Sequence, residues 1–317
     1  MSEERGMKEQ TISEMAQEMA HTTSEGLKKR IRKLYTFDEL PAWQKDNELI
    51  LSGYVRETNS VKECLRAMTY FNNESINIYT HLIPGVAYLV LFLIFADLVL
   101  AQLLPGLDAG EHRMLRFYLL GAFTCLACSS CFHCLKQHSE PHSRLWSKVD
   151  YLGILAQITC STISLLYYGY HSYPSHFVFF STLTVALCSA CAVLVLNDSF
   201  NTVAFRPLRA FLFMAFGLSG VIPVLAGSYQ FGFAEWAARI QLKYVLYEAV
   251  FYITGALVYG FRIPERFAPG KFDMVGHSHQ IFHLLVVLGT LCHFRAVTGS
   301  YIFICTGKHY SSLLMFI

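Results

Sequence analysis

The feature that most constrains the fold of this chain is a series of seven apolar stretches. A helix that crosses a bilayer needs about 20 mostly apolar residues, and it must satisfy its own backbone hydrogen bonds because lipid offers none. The sequence therefore predicts an all-α integral membrane protein with seven transmembrane helices. The stretches cover roughly residues 78–104, 114–135, 151–170, 177–196, 208–228, 242–261 and 280–304, and the seventh is interrupted near Arg295.

The distribution of charge supports a membrane protein and argues against soluble classes. Of the 25 basic and 23 acidic residues, 23 lie before position 67, which leaves the rest of the chain about 10% charged. A soluble domain is about 25% charged. This shortage disfavours a cytosolic enzyme and a disordered regulator. A formal net charge of only +2, with no basic stripe, also disfavours a nucleic-acid-binding protein.

Basic residues predict how the chain is oriented in the membrane. Cytoplasmic loops are enriched in Lys and Arg. If the N-terminus is cytoplasmic, 19 of the 25 basic residues fall on the cytoplasmic side. We therefore expect a cytoplasmic N-terminus and, after seven spans, a C-terminus outside. The expected location is the plasma membrane or an endomembrane.

The chain divides into a cytoplasmic N-terminal region, residues 1–72, and a seven-helix membrane domain, residues 73–317. Ser60 and Glu63 have the spacing of a capping box, which marks the start of a helix. Apolar residues then recur on one face, and this predicts a short amphipathic helix that either lies on the inner leaflet or packs on the loops. These residues are Val61, Cys64, Leu65 and Met68.

Four polar residues are predicted to meet at the cytoplasmic end of the bundle. His133 lies near the inner end of the second span, Asp150 at the start of the third, and His279 and His283 in the first turns of the seventh. Residues four apart on a helix share a face, so His279 and His283 could bind one metal ion together. A third histidine from another helix would complete the three-ligand pattern of catalytic zinc, which leaves a fourth position open.

Each of these residues also has an ordinary structural interpretation. A histidine pair at this spacing is common without a metal. If water is activated here, Asp150 is the candidate base, but a carboxylate in the first turn of a helix is also favoured by the helix dipole. Ser129, one turn before His133, could orient a histidine or a water, or its hydroxyl could bond a backbone carbonyl.

Further polar residues lie within the predicted spans, where they are costly and therefore informative. Opposite charges among them could pair, but the sequence does not say which partners meet. Transport through these groups is the weakest functional hypothesis, because the charges are few and no pair of broken helices is evident. The residues are His81, Asp97, Glu248, His293 and Arg295.

With these residues identified, the chain resembles the progestin and adipoQ receptor family, which includes adiponectin receptors and haemolysin-III-like proteins. The resemblance extends from residue 40 to about residue 300. It implies seven helices with a cytoplasmic N-terminus and a zinc ion held by His133, His279 and His283. It also implies that Ser129 and Asp150 lie beside the metal. The similar segments are 40–48, 52–54, 73–81, 129–133, 138–139, 148–154 and 278–283.

The resemblance leaves several functions open. One is a zinc-dependent, ceramidase-like amide hydrolase that acts on membrane lipids at the inner leaflet. Another is a hormone or lipid receptor in which zinc is structural, and a third is a regulator of zinc and sterol homeostasis. The expected ligands are membrane lipids such as ceramide, a fatty acid or a sterol-like molecule, or an extracellular or lipid hormone.

Overall fold

The computed structural model describes residues 33–94, 109–201 and 205–306. Within these ranges the chain is helical, apart from turns and an antiparallel bridge between Tyr35 and Tyr54. Short 3₁₀ helices cover Phe37–Glu39, Ala42–Gln44 and Asp198–Asn201. The α-helices of these ranges are α1 (Val61–Ala67), α2 (Ser75–Ile94), α3 (Ala109–Leu135), α4 (Glu140–Gly169), α5 (Pro174–Leu196), α6 (Arg206–Leu218), α7 (Val221–Phe231), α8 (Phe233–Arg239), α9 (Leu242–Phe261) and α10 (Ser278–Thr306).

Seven helical segments of the described ranges are long and apolar enough to cross a membrane. They confirm the predicted all-α class and the number of spans, and the protein is an integral, multi-pass membrane protein. The orientation of the termini remains a prediction. The segments are Ser75–Ile94, His112–Leu135, Glu140–Gly169, Pro174–Leu196, Leu208–Phe231, Leu242–Phe261 and Ser278–Ile304.

The third span begins earlier than its hydropathy indicates. Ser139 is the N-cap of α4, and Pro141 lies in its first turn, where a missing backbone N–H costs nothing. Asp150 therefore lies ten residues into the helix, about three turns from its start. The prediction that Asp150 begins the span is wrong, and so is its interpretation as a carboxylate held by the helix dipole.

The continuity of two other spans also differs from the prediction. The fifth is two helices, α6 and α7, separated by a turn at Ser219 and Gly220. The seventh was expected to be interrupted near Arg295, but α10 runs through that residue without a break. A charged residue such as Arg295 can thus lie within a continuous helix of the bundle, even though its hydropathy predicts a break there.

The largest core lies between helices α2, α3, α4 and α10. Tyrosines are prominent in it, with Tyr118 and Tyr168 fully buried. By contrast, α5 and α7 expose apolar side chains such as Val193 and Leu225, as expected for helices that face lipid. The core residues are Tyr88, Leu115, Tyr118, Leu119, Ala122, Leu126, Tyr168, Val287, Val297, Tyr301 and Ile302.

The segment before α1 packs on the loop between α9 and α10. The Asp273 carboxylate accepts hydrogen bonds from the Leu51 N–H at 2.9 Å and from the Ser52 hydroxyl at 2.7 Å. In the same loop, the fully buried Glu265 accepts a bond from the Ser278 N–H at 2.7 Å. These bonds hold the first residue of α10 and thereby position the two histidines that follow it.

The short helix α1 packs on the bundle through one residue of its predicted apolar face and exposes two others. Ser60 caps it by accepting a bond from the Glu63 N–H at 3.4 Å, as the spacing predicted. Cys64 is fully buried against Ile78 and Cys134. Two other members of the predicted apolar face, Val61 and Leu65, are about half exposed. Contact with the inner leaflet through these residues remains a prediction.

Candidate metal centre

Three imidazoles converge at the end of the bundle where α3 ends and α10 begins. The ring centroids of His133, His279 and His283 are 4.7 to 4.9 Å apart, so the three rings form a nearly regular triangle. One nitrogen of each ring lies within 4.8 Å of the others. His133 and His283 are buried, and His279 is half-buried. The fold therefore brings together the three histidines that the sequence selected.

The geometry of these residues fits a metal ion bound by three nitrogens. The Nε2 atoms of His133 and His279 are 3.1 Å apart. Two imidazole lone pairs at this distance repel each other unless a proton or a cation lies between them. Tetrahedral zinc with Zn–N bonds of about 2.0–2.1 Å requires ligand nitrogens roughly 3.3 Å apart. The group could thus hold one ion with little movement of the side chains.

A carboxylate that sequence reasoning did not select lies directly behind this triangle. Glu74, just before α2, accepts a hydrogen bond from His133 Nδ1 at 2.7 Å and one from Lys136 at 2.8 Å. Burial opposes ionisation of the Glu74 carboxyl, but Lys136 and His133 outweigh it and hold its pKa well below its usual range. Glu74 is therefore an ionised hydrogen-bond acceptor in the folded protein. No pattern in one sequence links it to His133, because 59 residues separate them.

Ser129 and Asp150 meet beside the triangle. The Ser129 side chain is buried and lies close to the Asp150 carboxylate, which is half-buried and close enough to His133 to interact electrostatically. Asp150 is outside the group of converging ligand atoms formed by the histidines. The two residues that the resemblance placed beside the metal are thus neighbours of each other, and their chemical roles remain predictions.

His81, a further intramembrane candidate, supports the triangle by packing. Its ring stacks on that of His283 with the centroids 3.7 Å apart and the planes 5° from parallel. Its Nε2 lies 3.3 Å from the backbone oxygen of His283. His81 therefore limits how the His283 ring can turn.

Two of the remaining polar candidates, Glu248 and His293, form a second, deeper region. The Glu248 carboxylate and His293 Nδ1 are 2.7 Å apart, and His293 Nε2 lies 3.1 Å from the backbone oxygen of Ser161. His293 is ten residues beyond His283 on α10, or about 15 Å along the helix. The Arg295 guanidinium lies 5.9 Å from the Tyr244 ring centroid. Asp97 is outside the described residues.

Seven apolar helices and a buried histidine triangle define the class of this protein, and comparison with known proteins identifies its family. The family model described as haemolysin-III related matches residues 69–294. The chain belongs to this family, which confirms the resemblance drawn from the sequence motifs.

Named relatives make the relationship more specific. The chain is similar to the ADIPOR-like receptor IZH2 of Saccharomyces cerevisiae, at 46% identity over 274 residues that cover 86% of each protein. It is 34% identical to the adiponectin receptor protein of Drosophila melanogaster over 289 residues, 88% of this chain and 64% of that protein. It is 33% identical to the progestin and adipoQ receptor-like protein 1 of Caenorhabditis elegans over 266 residues, 84% of this chain and 60% of that protein.

Proposed function

We propose that this protein binds zinc through His133, His279 and His283 and hydrolyses the amide bond of a ceramide-like lipid at the inner leaflet. The observation on which this proposal rests is the convergence of three imidazoles beside a Ser129–Asp150 pair. Three nitrogen ligands leave a fourth position of a tetrahedral ion open, which is the arrangement of catalytic zinc.

Each residue has a defined role in this reaction. When bound, zinc supplies Lewis acidity and lowers the pKa of water toward about 7. Asp150 accepts a proton from the water that attacks the amide carbon, and Ser129 orients the carboxylate for that transfer. Asp150 then returns the proton to the nitrogen as the C–N bond breaks. The products are a free fatty acid and the amine of the lipid base.

The alternative is a non-catalytic receptor or sensor in which zinc joins α3 to α10. The printed names of two relatives, an ADIPOR-like receptor and an adiponectin receptor protein, favour it. A metal that cross-links two helices stabilises one arrangement of the bundle, and a lipid or hormone ligand could shift that arrangement. A role in zinc and sterol homeostasis would use the same site without turnover.

The test is hydrolysis of ceramide with a labelled acyl chain by the full-length protein in lipid vesicles. We expect the wild type to release labelled fatty acid. Asp150→Asn should keep its zinc and lose about 100-fold or more of its rate, because general base catalysis typically supplies that factor. Glu248→Gln is the matched control, since it alters a buried carboxylate whose partner, His293, lies about 15 Å along α10 from His283.

The outcomes separate the two functions. Release that survives in Glu248→Gln and is lost in Asp150→Asn and His283→Ala supports the hydrolase. A wild type that binds zinc and releases no fatty acid refutes the hydrolase and leaves the receptor. A wild type without zinc refutes both forms of the proposal.

A further inference from the structure

We propose that Glu74 is a positioning residue for the metal centre. Together with the backbone oxygen of Asn77, it sets the tautomer and orientation of two of the three ligand histidines. This proposal rests on the zinc site proposed above, and it assigns a function to the start of α2 that is separate from catalysis.

The first histidine held in this way is His133. Its Nδ1 lies 2.7 Å from Oε2 of Glu74, and both oxygens of that carboxylate already accept hydrogen bonds, Oε1 from Lys136 and Oε2 from the Asn77 amide. A carboxylate that faces donors on both oxygens accepts a hydrogen bond from the imidazole as well. The proton must therefore be on Nδ1, which leaves the lone pair on Nε2. That Nε2 is the atom that lies 3.1 Å from Nε2 of His279. Glu74 thus directs the metal-binding nitrogen of His133 toward the centre of the triangle.

The second histidine is held by the same segment one turn later. His283 Nδ1 lies 3.0 Å from the backbone oxygen of Asn77, and a carbonyl oxygen also only accepts. The proton of His283 is therefore on Nδ1 too, and its Nε2 is free to bind a metal. Carboxylates and backbone carbonyls behind ligand histidines commonly have this effect in metal sites.

Other hydrogen bonds hold the Glu74 carboxylate in place, so it cannot move along with the His133 ring if that ring rotates. Its Oε2 also accepts a bond from the Asn77 side chain at 2.8 Å, and its Oε1 accepts the bond from Lys136. Its own N–H donates to the Asn72 side chain at 3.0 Å. Because both oxygens and the backbone are held, the carboxylate is a rigid reference for His133. A metal site requires its ligands to be held in a narrow range of positions, and a rigid supporting residue provides this.

The segment also connects the metal centre to the region before α1. The Asn73 N–H donates to the Gly53 oxygen at 2.9 Å, and the Asn73 oxygen lies 3.4 Å from the Gln280 side-chain nitrogen in α10. Residues 73–77 therefore touch the N-terminal segment, α3 and α10. Zinc affinity should depend on all three contacts, and most strongly on Glu74.

The deeper region supplies a matched control within the same chain. Glu248 and His293 form a buried pair with the same 2.7 Å separation and the same atoms, Oε2 and Nδ1. The other nitrogen of His293 faces the oxygen of Ser161, so that pair is not directed at a metal. Glu74→Gln and Glu248→Gln are thus the same chemical change in the same type of pair.

The experiment measures metal binding by the purified full-length protein, with no substrate present. A chromophoric chelator competes for zinc and reports the Kd. Cobalt(II) in place of zinc reports the ligand geometry through its visible absorption. We expect Glu74→Gln to weaken zinc binding by about 10- to 100-fold and to change the cobalt spectrum. Glu248→Gln should alter the Kd by less than about threefold and leave the spectrum as in the wild type.

Three results would overturn the proposal. The first is a wild-type Kd and cobalt spectrum in Glu74→Gln. The second is an equal loss in Glu248→Gln, since that would attribute the effect to general packing. The third is a wild type that binds neither metal, which also removes the proposed zinc site. If zinc binding follows the expected pattern while ceramide is not hydrolysed, Glu74 keeps its role and only the hydrolase fails.

Discussion

The protein contains two buried Glu–His pairs that are alike in their contact and different in their surroundings. His133 with Glu74 and His293 with Glu248 each place Nδ1 2.7 Å from a carboxylate oxygen. At the first pair, Nε2 faces two other imidazoles. At the second pair, it faces a single backbone oxygen of Ser161.

This difference shows that a carboxylate behind a histidine does not by itself make a metal site. The carboxylate sets which nitrogen has the proton, and the groups around the other nitrogen decide what that nitrogen can do. Near the start of α10, His279 and His283 supply two further lone pairs. At His293 the facing backbone oxygen of Ser161 accepts a hydrogen bond, so both ring nitrogens have partners within the protein. The same type of pair can therefore support a metal site in one region while it serves packing in the other.

The largest expected effect comes from removing a histidine in each region. His283→Ala should reduce bound zinc from about one ion per chain to nearly none, because two nitrogens hold the metal far less tightly than three. His293→Ala should keep the wild-type zinc content. Elemental analysis of the purified proteins checks both. Unchanged zinc in His283→Ala would contradict the three-histidine site.

A second prediction concerns the stability of the deeper pair. His293→Leu leaves the Glu248 carboxylate buried without its partner, and breaking such a pair typically costs about 3–5 kcal/mol. The double variant Glu248→Leu, His293→Leu should recover most of this loss, since it removes both polar groups. Denaturant titration of helicity in detergent measures the free energies of unfolding. A double variant as unstable as the single one would show that the pair is not the source of the effect.

A third prediction tests whether the two regions are mechanically coupled. Gly289 lies between His283 and His293, and a Cβ added there would be 2.3 Å from the Tyr252 ring. Gly289→Ala should lower the free energy of unfolding by about 1–3 kcal/mol through overpacking. The control is Gly260→Ala in the facing helix, where the added Cβ would point into open space.

If the regions are independent, Gly289→Ala should change stability while the zinc Kd remains as in the wild type. The same unfolding titration and chelator competition measure the two quantities. A large loss of zinc affinity in Gly289→Ala, without one in Gly260→Ala, would show that strain near Tyr252 reaches the histidine triangle.

The smallest expected effect lies outside the spans. Ser60→Ala removes the cap of α1, which packs through Cys64 on Cys134 next to His133. Loss of an N-cap typically costs about 1 kcal/mol. Lys62→Ala, an exposed change in the same helix, should alter stability by less than about 0.5 kcal/mol. Equal effects in a denaturant titration would mean that the cap does not stabilise this region.

The spans could be predicted because an apolar stretch of about 20 residues in lipid must satisfy its own backbone hydrogen bonds, and a helix does so. The ends of the spans could not be predicted equally well. The first ten residues of α4 include charged and polar side chains, so hydropathy places the start of the span near Asp150 rather than at Glu140. The turn at Ser219 and Gly220 was also missed, because the residues on both sides of it are apolar.

The candidate site was partly predictable for a similar reason. His279 and His283 lie on one helix, and local geometry alone places them on the same face. His133 follows from the topology, since the second and seventh spans both have a terminus at that side of the membrane. Glu74 follows from neither argument, because its contact with His133 depends on how α2 packs against α3.

By itself, then, the sequence determined the seven apolar spans, the spacing of His279 and His283, and the shortage of charge that requires a membrane. These are local or compositional properties, and they do not depend on which distant segments pack together. Only the tertiary structure decided that Glu74 pairs with His133, that Glu248 pairs with His293, and that Ser129 meets Asp150. The physical reason is that a buried polar group must find a partner, and helix packing decides which partner lies within reach.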